Sequence, residues 1–139
     1  MKNIFVDSDI ILDLMLERDQ FFNPAAELFN LIENNKIKAS VSALHFSNLH
    51  YIIRKVKSNE LAKSVLRKLA ILVNILPIDE KTIELALESD FPDFEDAIQY
   101  YACLDNDIDV IVTRNKKDYI SGKLPVMSAE EYLATLKSK

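Results

Sequence analysis

Short blocks of β-branched and aromatic residues alternate along the chain with longer stretches whose apolar positions recur every three or four residues. The first block, Ile4-Phe5-Val6, stops at Asp7 and leads into Ile10, Ile11, Leu12, Leu14, Met15 and Leu16, a helical pattern. Asn23-Pro24 reads as a helix cap followed by proline at the first helical position, with Ala25, Ala26, Leu28, Phe29, Leu31 and Ile32 as the buried stripe. Lys38 to Ser42 fits a second strand, and Leu44, Leu49, Ile52, Ile53 and Val56 mark a helix ending near Lys57. A further helix is expected from Glu60 to Leu72, followed by a third strand, Val73 to Leu76, closed by Pro77. Asp79 can cap a helix carrying Ile83, Leu85, Ala86 and Leu87, and Asp93 opens another that runs through Asp105. Val110 to Thr113 is the fourth strand. A loop holding Gly122, the only glycine, reaches a fifth at Pro125-Val126-Met127, and Ser128-Ala129-Glu130-Glu131 is a capping-box pattern for a last helix ending near Lys137.

Strands separated by helices predict an α/β domain over residues 1–139, with helices on both faces of a central, mostly parallel sheet of five strands. In such sheets functional groups gather beyond the carboxyl ends of the strands. Composition then narrows the chemistry. With 49% hydrophobic and 28% charged residues the chain should fold throughout. No apolar run reaches the roughly 18 residues of a membrane span, and Asp7, Asp9 and Asp13 interrupt the first apolar stretch, so no membrane association and a cytoplasmic location are expected. Cys103 stands alone and cannot form an internal disulfide. His45 and His50 lie five apart on one predicted helix, off the spacing that would place both on one metal, and read as packing or surface residues whose loss would change activity only a fewfold.

Acids recur at the predicted carboxyl edge. Asp7 and Asp9 follow the first strand, Asp93-Phe94-Glu95-Asp96 precedes the late helix, and Thr113-Arg114-Asn115-Lys116-Lys117-Asp118 follows the fourth strand. Each acid alone is better explained as a helix cap or solvated surface. Together they suit magnesium or manganese, hard cations that take oxygen ligands and support phosphodiester hydrolysis. A net charge of −5 argues against broad attraction to nucleic acid, but a metal-holding nuclease carries acids in its site, and Arg114, Lys116 and Lys117 could meet phosphate. Tyr100 and Tyr101, adjacent on a helix, read as one core and one rim residue.

The segments "FVDSDIILDLML", "VSALHFSNLHYIIRK" and "FEDAIQYYACLDNDIDVIVTRNKKDY" resemble the ordered motifs of PIN domains, with the connecting helices extending the match over nearly the whole chain. The resemblance implies a three-layer α/β/α fold and magnesium- or manganese-dependent RNA cleavage at clustered acids. It also implies an antitoxin partner and a homodimer, since many small members are the toxin halves of toxin–antitoxin pairs. Carried over by position, the family's first acid falls on Asp7 and its third on Asp96, the two metal-holding residues, with Asp118 as a further catalytic acid and Asp9, Asp93 and Thr113 as additional site positions. The sequence departs from the pattern at Asn48, where the family keeps a glutamate, and at Asn115, where it often keeps an acid. An asparagine offers a carbonyl oxygen but neither charge nor basicity. The resemblance therefore supports two readings, a metal-dependent ribonuclease and a weakened or inactive PIN-like module that binds RNA or a protein.

Overall fold

The computed structural model describes residues 3–137. Five strands, β1 (Asn3–Val6), β2 (Lys38–Ser42), β3 (Asn74–Leu76), β4 (Val110–Val112) and β5 (Val126–Met127), form one sheet in the order β3-β2-β1-β4-β5. Every pairing is parallel, and β1 at the centre sets Phe5 opposite both Ser40 and Ile111. Parallel neighbours require crossovers, supplied by α1 (Ser8–Met15), α2 (Asp19–Glu33), α3 (Ala43–Val56), α4 (Asn59–Leu72), α5 (Glu80–Glu88) and α6 (Phe94–Asp105), with α7 (Ala129–Lys137) closing the order. The result is a three-layer α/β/α fold.

The pleat sorts the core into layers, because alternate strand residues face opposite sides. Ile4, Val6, Val41, Val110 and Val112 pack with Ile10, Leu28, Leu49, Leu69 and Leu133 from helices α1 to α4 and α7. Phe5, Leu76 and Ile111 instead meet Tyr100, Ala102 and Cys103 of α6. Tyr100 is therefore core and Tyr101 only partly buried, as adjacency on a helix demands. The Tyr100 hydroxyl accepts the Lys123 backbone N–H at 2.7 Å. A Cβ at Gly122 would run into the Tyr100 ring, so the single glycine lets the loop lie against it.

Most helix starts follow their polar side chains. Ser42, Ser58, Asp79 and Asp93 each accept a backbone N–H three residues on, and Ser128 and Glu131 form the reciprocal capping box. One start differs from expectation. Helix α2 begins at Asp19, with Pro24 inside it and Arg18 at its cap position. The Arg18 carbonyl accepts from Phe21 and Phe22 at 2.9 and 2.8 Å, so the first turn is closed before Pro24 is reached. The bond Pro24 cannot make would run to the carbonyl of Gln20, an exposed residue that water can satisfy. A second addition is the 3₁₀ turn Lys116–Tyr119 after β4. No helix among the described residues is long and apolar enough to cross a membrane.

Candidate active site

Asp7 sits where β1 ends, as the N-cap of α1, and is almost entirely buried. Its Oδ1 accepts from the Ser8 backbone N–H at 2.9 Å and lies 3.2 Å from His45 Nε2. Its Oδ2 accepts from the Thr113 hydroxyl at 2.8 Å and the Tyr119 hydroxyl at 3.4 Å. Burial alone would raise the carboxyl pKa, but the His45 contact and the Thr113 and Ser8 donors hold it below the ordinary value. Burial, and then the Asp7 charge, pushes the Tyr119 phenol far up, so it stays a donor. Asp7 is thus an ionised carboxylate fixed by groups from α1, α3, the turn after β4 and the 3₁₀ segment.

Its acidic neighbours are shifted in the opposite direction. Asp9 Oδ2 accepts from the Arg114 backbone N–H and the Asn115 side-chain amide, both at 3.0 Å, and lies 3.3 Å from the Thr113 hydroxyl, whose single proton goes to the nearer Asp7 Oδ2. Its Oδ1 is buried with no partner among the described residues. Burial and the Asp7 charge raise its pKa to about 6. Asp96, in the first turn of α6, is raised to about 7 by burial and by the charges of Asp93, Asp118, Asp7 and Glu95. Those couplings put Asp9 and Asp96 each within electrostatic reach of Asp7, and Asp96 within reach of Asp118, beyond the carboxyl ends of β1 and β4. Asp93 caps α6 by accepting the Asp96 N–H at 3.0 Å. Among the described residues, no three His, Cys, Asp or Glu side chains converge as a ready metal cage.

Both asparagines are tied to acids. Asn115 donates to Asp9, and Asn48 donates its amide to Glu95 Oε1 at 2.6 Å. Glu95 therefore brings a carboxylate from α6 to the place on α3 where the sequence has none. The basic loop divides by role. Arg114 clamps buried Asp13 through two bonds of 2.8 and 2.9 Å and lies over the Phe21 ring at 4.0 Å, so its guanidinium braces α1. Lys116 pairs with Glu131 at 2.9 Å, and Lys117 is exposed with no ion pair among the described residues.

His45 is the packing residue expected from sequence, but it also reaches the site. It is buried in the first turn of α3, stacked near Phe5 with ring centroids 5.3 Å apart, and touches Asp7. An ionised carboxylate only accepts, so Nε2 carries the proton and donates, leaving Nδ1 buried without a partner among the described residues. Spacing against His50 gave the wrong test, since His50 points away to Asn59 Oδ1 at 3.0 Å. The useful signal was position, because His45 follows β2 by one helical turn at the same sheet edge as Asp7. Glu95 was hidden for the same reason that Asn48 looked bare: its partner lies 47 residues away.

Comparison with known proteins agrees with this architecture. Residues 3–117 match the PIN domain family. The chain is 24% identical over 136 residues to ribonuclease VapC1 of Aquifex aeolicus, covering 94% of this chain and 93% of that protein. The fold superposes on FitAcB from Neisseria gonorrhoeae with a TM-score of 0.73 at 15% identity, covering 91% of this chain and 98% of the other. A toxin-antitoxin complex from Klebsiella pneumoniae gives a TM-score of 0.68 at 19% identity, with 91% and 97% covered.

Proposed function

Because the chain belongs to the PIN-domain family, we propose that it is a ribonuclease that depends on magnesium or manganese, acting as the toxin of a toxin–antitoxin pair. The observation that carries this reading is the crowding of Asp7, Asp9, Asp96 and Asp118 with too little positive charge to balance them. Structural caps have no reason to be pressed together until two of them hold protons toward neutral pH. The donor set is all oxygen, and Asp9 keeps one buried oxygen without a partner among the described residues. This fits a hard cation that binds one or two carboxylates directly and keeps several waters. Asp7 and Asp96 would hold the cation, with Asp118, Glu95 and the carbonyl oxygens of Asn48 and Asn115 around them.

When bound, such a cation neutralises charge developing on the phosphodiester and lowers the pKa of water. The chain's own groups do the rest. Ser8, His45, Thr113 and Tyr119 keep Asp7 ionised and fixed, and Tyr119 and Thr113 retain their hydroxyl protons as donors to its Oδ2. Asp96 gives up its proton when positive charge arrives. Among the described residues Lys117, exposed and without an ion pair, is the loop cation that would meet phosphate.

The test is calorimetric titration of the purified chain with manganese, followed by cleavage of a mixed RNA pool, for the parent, Asp7→Asn and Asp96→Asn. The ribonuclease reading expects metal binding and cleavage in the parent, with both lost on the order of 100-fold or more in the variants. Expression of the parent should also arrest growth, and Asp7→Asn should not. The neutral amides of Asn48 and Asn115, each tied to an acid, favour a second reading of an RNA-binding module without cleavage. RNA binding with neither metal uptake nor cleavage would select it.

A further inference from the structure

The net charge of −5 is unevenly spread. Residues 43–72, which form the α3–α4 hairpin, hold Arg54, Lys55, Lys57, Lys63, Arg67 and Lys68 against one acid, Glu60, giving +5, while the remainder of the chain carries −10. All six cations are exposed, and none makes an ion pair among the described residues. A cationic patch by itself serves any polyanion. What distinguishes this one is how α3 joins it to the acids.

Leu44, Asn48, Tyr51 and Lys55 succeed one another at spacings of four, three and four, so they share one flank of α3. Leu44 packs beside Ala97 and Ile98 of α6, and Asn48 bonds Glu95, so the start of α6, with Asp96 in it, covers the first half of that flank. Tyr51, 54% exposed, and Lys55 continue it into solvent. From Asn48 to Lys55 is about 10 Å along the helix axis. Arg54 Cζ and Lys55 Nζ lie over the exposed Tyr51 ring, 5.9 and 5.8 Å from its centroid, so cations and aromatic surface are held together. Stacking faces and backbone-tracking cations are what single-stranded nucleic acid requires, since its bases are free to leave their neighbours. Lys63 and Arg67 lie elsewhere, lining a shallow depression with Phe46 and Ile75 on the β3 side.

We propose that the Tyr51, Arg54 and Lys55 flank of α3 is the docking track for single-stranded RNA leading out of the acidic groove, with a base on Tyr51 and phosphates on Arg54 and Lys55. This rests on the ribonuclease reading for the identity of the strand. Binding of a short fluorescent single-stranded RNA of mixed sequence is measured by anisotropy over a range of salt, using the full-length Asp7→Asn chain so that the RNA stays intact. Adding Arg54→Ala with Lys55→Ala weakens binding about tenfold or more at low salt and reduces the log–log salt slope by about 1.4, at roughly 0.7 per phosphate contact on a single strand. Adding Tyr51→Ala costs on the order of tenfold with the slope unchanged, while Tyr51→Phe matches the parent. Lys63→Ala with Arg67→Ala removes the same charge from the other flank and leaves the slope at the parent value.

Equal effects of the two cation pairs, or a silent Tyr51→Ala, would overturn the track. So would a polyglutamate peptide that displaces the RNA as well as unlabelled RNA does, since the face would then be an acidic-protein site. Parallel cleavage assays with manganese, run on chains that retain Asp7, separate the two claims. Cleavage by the parent with RNA binding unmoved by these variants removes the track and leaves the nuclease. Variant-sensitive binding without cleavage does the reverse.

Discussion

Asp7 accepts from Ser8, His45, Thr113 and Tyr119, while Asp9 and Asp96 beside it are pushed toward the protonated form. That contrast has a pH signature. An unfolded aspartate titrates near 3.9, whereas Asp9 and Asp96 in the fold titrate at about 6 and about 7. The folded chain therefore binds more protons between these values, so its metal-free stability falls as pH rises from about 4 through 7. Asp7, lowered in the fold, acts oppositely but only below its unfolded value. Thermal midpoints without metal should drop between pH 5 and 8, conditions chosen to bracket these values, and millimolar manganese should restore them at the upper end. Asp9→Asn or Asp96→Asn should flatten the profile. A midpoint that rises over this range would contradict the crowding of the acids. His45 yields a second expectation. A hydrogen bond to a charged group is worth about 1.5–3 kcal/mol, so His45→Ala should weaken manganese binding and cleavage by tenfold or more. His45→Gln, which keeps a donor, should recover part of both. Equal loss in the two variants would assign His45 to packing.

At the scale of elements, the segment after β4 is joined to α1 by one guanidinium. Asp13 is buried and faces Arg114 at 2.8 Å, with Arg18 at 3.5 Å as a second, half-exposed partner. Removing one member of a buried pair costs about 3–5 kcal/mol, and Arg18 keeps the expected loss for Arg114→Ala near the lower end. Denaturant unfolding checks this, and Arg114→Lys should remain well short of the parent because an ammonium cannot bond both carboxylate oxygens. The loss should reach the site, since the Arg114 N–H and Asn115 amide both hold Asp9.

The same segment marks where sequence reading succeeds and stops. The five strands, the caps at Asp79, Asp93 and Ser128, and the acids at the strand ends are local properties, readable from periodicity and short-range polar signals. Asp13 within an apolar helix gives no hint that its partner lies 101 residues away. The His45 contact with Asp7 and the Asn48 bond to Glu95 are likewise tertiary, fixed only once the sheet order is known. Pro24 misled for a related reason, because Asn23-Pro24 satisfies the local rule for a helix start and only the bonds of Arg18 show that the turn had closed earlier.

For the whole molecule, the central position of β1 governs when the protein can exist during its own synthesis. β1 is made long before β4, its neighbour 106 residues later, and Asp7 needs Thr113 and Tyr119 from beyond that strand. At translation rates of about 5–20 residues per second, the first strand waits roughly 5–20 s for this partner. A chain halted before Val110 can pair β1 with β2 but leaves one edge of β1 open, with Asp7 lacking both hydroxyl donors. Ribosome-bound chains ending at residue 108 should be cleaved readily by added protease and gain no protection from manganese. Chains long enough to expose residues 3–137 outside the ribosome should resist and should respond to the metal. Protection of the shorter chain would show that β1 is secured without β4. On the proposed ribonuclease function, the delay keeps the acidic groove unformed while the chain's own messenger is still being read.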